Sequence, residues 1–424
     1  MKKHRKNSFL RNVITLVSGS ALSQGILLVA TPFLTRLYTP EEFGVFALYL
    51  ATVGIISVVA SWKYELAIML PKEESDAQAL LFLSIIIVFI TSILLFVIVA
   101  LSKGFIANHT TNFNLFMWLV PIGVLVTGLL QVFTSWGTRK EYYNIVSTSR
   151  VARSGVAVGG QFSFKFTNLF SPGLVWGNLL GTVASLFILI VLSIKKQTIN
   201  LRTVHKKQIL GNMKKYSNFP KFQSFSVLIN SLSQNLPILL LTYFYQPEIA
   251  GFYSLTHRAL NTPVRLIGGS VRQVFFQKAA KIYSDNQSIR TIFIKSTLGL
   301  VKISIVPYLI LILFAPSIFS FVFGDEWIVS GIYAQLVIIF IFTLTINPPA
   351  VMSLQILGLQ KYNLVYEIFL VTFRFFAIYI GFAIFSSHFI SVGLFAITGA
   401  LFNTALIIFI YQKIKKNDIN NQLI

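Results

Sequence analysis

The 424-residue sequence is 55% apolar and only 11% charged, whereas a soluble domain carries about 25% charged residues, so a soluble globular fold is excluded. Its 35 Lys and Arg against 13 Asp and Glu give a formal charge of +22, but the basic residues sit in short loops, and no stretch of soluble-domain length mixes Lys and Arg with aromatics, so we expect no nucleic-acid partner. The absence of cysteine excludes disulfides, thiolate metal sites and cysteine nucleophiles.

Apolar runs follow one another along the chain, each close to the roughly 20 residues that a helix needs to cross the hydrocarbon layer. Because lipid offers the backbone no hydrogen bonds, these runs must be helices. The predicted fold is an all-α polytopic membrane protein with about 12 transmembrane helices. The predicted spans are residues 12–36, 43–62, 78–101, 114–137, 145–164, 173–194, 222–243, 250–277, 296–318, 328–357, 363–385 and 389–411. The fifth, seventh and eighth are unusually polar.

The basic residues orient these helices. With the N-terminus in the cytoplasm, 25 of the 35 Lys and Arg fall in cytoplasmic segments, and three fall on the external side: Arg36, at the very end of the first span, Lys103 and Lys165. The remaining seven lie inside predicted spans. Such an excess of cations on one side is what the positive-inside rule requires, so we predict that both termini are cytoplasmic.

The first connection of each half of the chain carries the same motif. Residues 34–48 align without gaps onto residues 241–255, with seven of fifteen identical. The shared Tyr-x-Pro-Glu-x-x-Gly predicts an external turn, with the tyrosines Tyr38 and Tyr245 anchored at the membrane interface and a proline opening the next helix. We interpret this as a duplication that gives two six-helix lobes related by a pseudo-two-fold axis normal to the membrane. The predicted domains are 1–194, a basic cytoplasmic linker at 195–221, and 222–424.

Seven cations fall inside predicted spans, where each costs about 2.5–3.5 kcal/mol on insertion scales. They are Arg150, Arg153, Arg258, Arg265, Arg272, Lys302 and Arg374. The three on the eighth span recur every seven residues and form a ladder about 21 Å tall on one helix face. We therefore predict a water-filled, electropositive cavity between the lobes.

Other interpretations of these cations stay open. Arg272, Arg150 and Arg153 could snorkel to the cytoplasmic interface, and Arg374 could pair with Glu367. A voltage sensor is disfavoured because it repeats arginine every third residue. Polar residues predicted to line the cavity are Ser20, Ser23, Gln24, Thr31, Asn230, Ser231, Ser233, Gln234, Asn235 and Asn261. They could instead hold helices together. A positive cavity with such walls suits an anionic cargo that carries sugar or phosphate.

The stretch LTRLYTPEEFGVFALYL…KYELAIMLPKE, residues 34–73, is similar to the opening of bacterial polysaccharide (O-antigen) repeat-unit flippases of the Wzx type, in the multidrug/oligosaccharidyl-lipid/polysaccharide exporter superfamily. The stretch LSQNLPILLLTYFYQPEIAGFYSLTHRALNTPVRLIGGSVRQVFF resembles that family's seventh and eighth helices. The resemblance covers nearly the whole chain. Related peptidoglycan-precursor flippases have two further spans, which this sequence lacks.

The resemblance implies a flippase that moves undecaprenyl-pyrophosphate-linked oligosaccharide of O-antigen, capsule or a similar polysaccharide from the cytoplasmic to the external leaflet by alternating access. It implies a location in the bacterial inner membrane. It also implies membrane lipids and polysaccharide polymerase machinery as partners, and no cofactor. It carries the family's cationic cavity onto Arg258, Arg265 and Arg272, and further onto Arg150, Arg153, Lys302 and Arg374.

Two other function classes compete with a flippase. A cation-coupled multidrug exporter of the same superfamily would need Asp or Glu within its spans, and those are nearly absent. A polysaccharide polymerase or ligase would need a large external loop, and the longest here is about a dozen residues, 102–113. No nucleotide-binding loop or catalytic set is present, so we expect no enzyme activity.

Overall fold

The computed structural model describes residues 2–106, 111–167, 172–196, 205–285 and 287–422. Over these residues the chain is helical and has no strand, which confirms the predicted all-α class. It forms two compact units, unit 1 at Met1–Asn235 and unit 2 at Leu236–Ile424. Residues 197–204 of the predicted linker lie outside the described residues, and the predicted domain limits stay a prediction.

The helices of unit 1 are α1 (Lys2–Thr35), α2 (Pro40–Ser57), α3 (Tyr64–Ala67), α4 (Glu74–Ile106), α5 (Thr111–Arg139), α6 (Tyr143–Phe166), α7 (Gly173–Lys195) and α8 (Lys206–Lys215). A π-helical turn at Phe219–Gln223 leads into α9 (Ser224–Phe244), which contains the boundary of the two units. Unit 2 continues with α10 (Pro247–Ser284), α11 (Arg290–Phe323), a 3₁₀ turn (Asp325–Trp327), α12 (Ile328–Ile346), α13 (Pro348–Ile356), α14 (Gln360–Ala383) and α15 (His388–Gln422).

Ten helical segments within the described residues are long and apolar enough to cross a membrane, and they correspond to ten of the 12 predicted spans. The other two predicted spans are α6 and α10. These helices have 24 and 38 residues, enough to cross about 30 Å at a rise of 1.5 Å per residue. Their low hydropathy comes from polar side chains, including Arg150 and Arg153 on α6 and Arg258, Arg265 and Arg272 on α10.

The tenth predicted span, 328–357, is two helices instead of one. Helix α12 ends at Ile346 and α13 begins at Pro348. Pro348 and Pro349 have no backbone N–H to donate to the preceding turn, so the helix is interrupted there. At the break, the buried Asn347 donates from Nδ2 to Asn403 Oδ1 of α15 at 2.9 Å. The break is therefore held by a polar contact inside unit 2.

Glycines let α6 and α7 pack backbone against backbone. A Cβ added at Gly177 would lie 2.5 Å from the Gln161 nitrogen, and one added at Gly181 would lie 2.7 Å from Ala157 Cβ. Gly177 and Gly181 are one turn apart on α7, the spacing of the small-residue motifs that bring membrane helices close together. This packing fixes the rotation of α6, the helix that carries Arg150.

The two repeat tyrosines each hydrogen-bond to a later helix of their own unit. Tyr38 is 2% exposed, and its hydroxyl donates to the Gln161 carbonyl near the end of α6 at 2.5 Å. The Tyr245 hydroxyl lies 2.7 Å from Ser391 Oγ at the start of α15, and that oxygen lies 3.0 Å from the Ile378 carbonyl of α14. Burial raises the pKa of both tyrosines. The predicted membrane-interface anchor is wrong for Tyr38, because this side chain is buried in protein.

Candidate functional site

Polar side chains of unit 1 converge on a pocket of about 390 Å³. Its walls come from α3, α5, α6 and α7, together with the turn before α3. The charged lining residues are Lys63, Glu65, Arg150 and Arg153. The hydroxyl and amide lining residues are Thr127, Gln131, Thr134, Ser135, Ser149 and Ser185. The structure thus brings two of the predicted site arginines together with a hydrogen-bonding wall.

Helix α6 aims the two arginines and is itself fixed against α1. Arg150 and Arg153 are three residues apart, so they lie on neighbouring positions of one helix face. Arg150 Nη1 donates to Ser20 Oγ of α1 at 2.7 Å. One turn along, Ser23 Oγ and Ser154 Oγ are hydrogen-bonded at 2.5 Å. Two serines predicted as cavity lining therefore connect α1 to α6 and position Arg150.

The pocket has more positive than negative charge. Its three cations face a single carboxylate, that of Glu65, which is already paired with Lys63 Nζ at 3.2 Å. Within the described residues, neither Arg150 nor Arg153 has a carboxylate within 4 Å. Guanidinium groups bind phosphate and carboxylate through paired hydrogen bonds. An anionic group entering this pocket would offset the unbalanced charge.

Lys63 and Glu65 are charged lining residues that the sequence did not place in the predicted cavity, and Lys63 is one of the 25 cations assigned to cytoplasmic segments. Trp62 and Lys63 adopt φ angles of 51° and 63°, in the left-handed region that few non-glycine residues occupy. The Trp62 residue is 53% exposed, whereas the side chain of Lys63 is only 11% exposed. No local sequence signal marks this backbone conformation, because it depends on contacts made elsewhere in unit 1.

Arg139 at the end of α5 fixes the connection between α2 and α4. Its Nη1 donates to the Ile68 carbonyl at 2.8 Å, and its Nη2 donates to the Pro71 carbonyl at 2.9 Å. The neighbouring Lys140 forms an ion pair with Glu74 at the start of α4. Because α5 also supplies four of the polar residues that line the pocket, these contacts hold the pocket's charged turn against its polar wall.

Unit 2 carries the predicted arginine ladder on α10, which continues through Pro263. Arg258 is half-buried and Arg272 is exposed, while the side chain of Arg265 lies outside the described residues. Asn261 is buried, and its Nδ2 has no hydrogen-bond partner in the described part of the chain. Lys302 on α11 is exposed. The role of these residues in binding stays a prediction.

Arg374 lies inside unit 2 against aromatic rings. Its guanidinium carbon is 5.1 Å from the centre of the Phe340 ring and 4.9 Å from that of Phe395. The residue is 7% exposed. Such cation–π contacts stabilise a desolvated arginine. Arg374 therefore contributes to packing among α12, α14 and α15.

Of the predicted amides of α1 and α9, those of α9 make local contacts. Gln24 is exposed on α1. Gln234 is exposed on α9, and its Nε2 donates to Asn230 Oδ1 one turn earlier at 2.7 Å. Asn235 Nδ2 donates to the Ser231 carbonyl of the same helix at 2.8 Å. These hydrogen bonds lie within α9 and do not join it to another helix.

Comparison with known proteins gives a family and a fold. The polysaccharide biosynthesis protein family matches residues 33–331, more than two thirds of the chain. No curated protein sequence matches the chain. Among solved structures, the lipid II flippase MurJ in an inward closed conformation is similar with a TM-score of 0.71 at 14% identity, over 97% of this chain and 91% of that chain.

Two further solved structures are similar over nearly their whole length. An inward-facing multidrug resistance MATE transporter of the MOP superfamily has a TM-score of 0.68 at 15% identity, with 95% of each chain covered. A MOP superfamily transporter from Pyrococcus furiosus, whose reversed binding-pocket polarity suggests a different function, has a TM-score of 0.57 at 15% identity, with 96% of each chain covered. At such identities the similarity establishes the fold alone.

Proposed function

The chain belongs to the polysaccharide biosynthesis protein family, and from this membership we propose that it is a flippase for undecaprenyl-pyrophosphate-linked oligosaccharide repeat units. It would carry the units of O-antigen, capsule or a similar surface polysaccharide from the cytoplasmic to the external leaflet of the bacterial inner membrane by alternating access. Its partners would be the lipid-linked cargo, membrane lipids and the polymerase machinery that receives the units.

The observation that carries this proposal is the unbalanced positive charge of the unit 1 pocket. A diphosphate group brings at least two negative charges, and the pocket has three cations to one carboxylate. Arg150 and Arg153 can each bind a phosphoryl oxygen pair, and the surrounding hydroxyls and Gln131 can hydrogen-bond phosphate or sugar oxygens. The pocket therefore has the donors that the charged end of such a cargo needs.

A cation-coupled multidrug exporter is the alternative. Cationic drugs are bound by carboxylates, and the one carboxylate of this pocket is committed to Lys63 and Ser61. Three neighbouring cations would repel a positively charged drug by Coulomb interaction. The charge of the pocket thus favours an anionic cargo. The flippase and the exporter also predict different phenotypes for a strain in which the gene is deleted.

Gene deletion followed by complementation tests the proposal. We expect the deletion strain to accumulate lipid-linked oligosaccharide and to lose the surface polysaccharide, and the wild-type gene to restore both. The variant with Arg150→Gln and Arg153→Gln should reach the membrane in normal amount yet fail to restore export. Lys207→Gln removes the same kind of charge from the exposed α8 and is the matched control, expected to behave as wild type.

Two results would count against the flippase. One is normal surface polysaccharide without accumulated lipid-linked sugars in the deletion strain. The other is full export by the double arginine variant. Increased sensitivity of the deletion strain to cationic dyes, with intact polysaccharide, would favour the exporter instead. Arg265→Ala tests the predicted ladder on α10 in the same strain, and a loss of export there would support a role for that ladder in transport.

A further inference from the structure

The turn of residues 61–65, here called the 61–65 turn, holds an ammonium group in the unit 1 pocket. A lysine in a turn next to a membrane normally extends its ammonium to water, because that group is strongly hydrated. Here the Lys63 side chain is 11% exposed and the Glu65 side chain 3% exposed. Both line the same pocket as Arg150 and Arg153. The turn thus directs a charged side chain away from water and towards the arginines.

The backbone enforces this direction. Left-handed φ angles at Trp62 and Lys63 cost conformational free energy and persist only where the surroundings impose them. Two contacts flank the turn from outside the pocket. One is the pair of hydrogen bonds from Arg139, and the other is the Tyr64 hydroxyl, which donates to the Met213 carbonyl of α8 at 3.0 Å. The inward position of Lys63 therefore rests on more than its ion pair with Glu65.

Glu65 has two hydrogen-bond donors in this turn, whereas Lys63 has one acceptor among the described residues. Glu65 accepts from both Ser61 Oγ and Lys63 Nζ. Among the described residues, Glu65 Oε1 is the acceptor that Lys63 Nζ contacts, although an ammonium has three donors. If Lys63 moved to another acceptor, Glu65 would keep its bond from Ser61. Lys63 can therefore exchange its partner without leaving Glu65 bare.

We infer that Lys63 is a third phosphate-binding cation of the unit 1 pocket, and that Glu65 holds its ammonium until a phosphate or diphosphate group takes its place. The arginines would supply paired hydrogen bonds and Lys63 a mobile point charge. The inference rests on the proposed function for the source of the group, the diphosphate of a lipid-linked sugar. Because Glu65 and the phosphate group compete for the Lys63 ammonium, the two substitutions should change anion affinity in opposite directions. Loss of Lys63 should weaken anion binding, and loss of the Glu65 charge should strengthen it.

Calorimetric titration of the purified full chain with inorganic pyrophosphate, in phosphatidylcholine nanodiscs, measures this competition. Lys63→Gln should raise the dissociation constant about tenfold or more, the usual effect of losing a charge-assisted hydrogen bond. Glu65→Gln should lower it by about threefold or more, since Lys63 is then free for the ligand. Lys207→Gln on the exposed face of α8 should leave it unchanged.

An ion pair that only shapes the pocket would predict a change in the same direction for both variants. In that case Lys63→Gln and Glu65→Gln would weaken binding alike, and this result would overturn the inference, as would a wild-type chain that does not bind pyrophosphate. If Lys63→Gln does not yield folded protein, the direction in which Glu65→Gln changes pyrophosphate affinity still decides between the two interpretations. Lys63→Arg, which keeps the cation, should then retain binding within about threefold.

A second set of nanodiscs separates the sources of the phosphate group. Unchanged pyrophosphate affinity in phosphatidylglycerol nanodiscs supports a diphosphate site, whereas a competitive loss of affinity would assign the pocket to a phospholipid headgroup and overturn the diphosphate inference. Export measured in cells is independent of these titrations. If the variants shift pyrophosphate binding as expected while Lys63→Gln exports normally, the binding site stands and its role in the proposed function fails.

Discussion

Replacing Gly181 with alanine tests whether the close packing of α6 and α7 builds the pocket. The new Cβ would lie 2.7 Å from Ala157 Cβ and 2.9 Å from the Ala157 nitrogen, and it would also meet the Arg153 carbonyl. Atoms that close must move apart by several tenths of an ångström, and backbone atoms of α6 cannot rotate away as a side chain can. The substitution should therefore push α6 away from α7 at the level of Arg153.

The magnitude follows from the packing. Adding a methyl group to a fully packed contact costs typically about 1–3 kcal/mol. Alanine has a better helix propensity than glycine by about 0.5–1 kcal/mol, which offsets part of that cost. Gly159→Ala on α6 is the matched control, because a Cβ there has no neighbour within 4 Å. Gly181→Ala should thus destabilise the protein, whereas Gly159→Ala should be neutral or slightly stabilising.

Thermal unfolding of the detergent-solubilised protein, followed by size-exclusion chromatography after heating, measures the difference. We expect Gly181→Ala to lose its monodisperse peak several degrees below both the wild type and Gly159→Ala. It should also export less polysaccharide, since the displaced α6 carries Arg150 and Arg153. Equal melting of the two alanine variants would refute the claim that this contact holds α6 in place.

Two other predictions concern the repeat and the topology. Tyr38→Phe removes a buried hydrogen bond to the Gln161 carbonyl and should lower the free energy of unfolding by about 1–2 kcal/mol. Tyr245→Phe should cost less, because its partner Ser391 keeps its hydrogen bond to the Ile378 carbonyl. Equal loss of thermal stability in the two variants would contradict this. Reporter fusions placed after Lys103, Lys165 or Asp325 should be external, and those placed after Lys206 or Lys361 should be internal. The reverse pattern would overturn the predicted orientation.

Hydrophobic run length predicted most of the spans because lipid imposes it directly. Ten of the 12 predicted spans correspond to helical segments that are both long enough and apolar enough to cross a membrane. The other two, α6 and α10, are long enough but more polar. On α6 the structure gives a reason, because its arginines line a pocket and so need not face lipid. The break at Asn347 was not predicted, although the pair Pro348 and Pro349 is a readable signal for it.

The candidate site was predicted in part. Arg150 and Arg153 stood out because arginine in a span is costly, and the pocket brings them together. Lys63 did not stand out, since an isolated lysine in a short loop fits the positive-inside rule and needs no further explanation. Its inward direction depends on a left-handed backbone and on Arg139, about 70 residues further along the chain. A contact of that range leaves no trace in local composition.

The sequence by itself determined the helical class, the approximate spans, the duplicated turn and the excess of cations, because each follows from the cost of exposing polar groups to lipid or from residue identity at fixed spacing. The tertiary structure alone decided which cations share a pocket and which side chains meet across it. Those facts depend on helix rotation, set by close contacts such as that of Gly181 with Ala157, and on the turn that directs Lys63 inward. Rotation and turn geometry arise from packing between distant segments, which periodicity and composition do not encode.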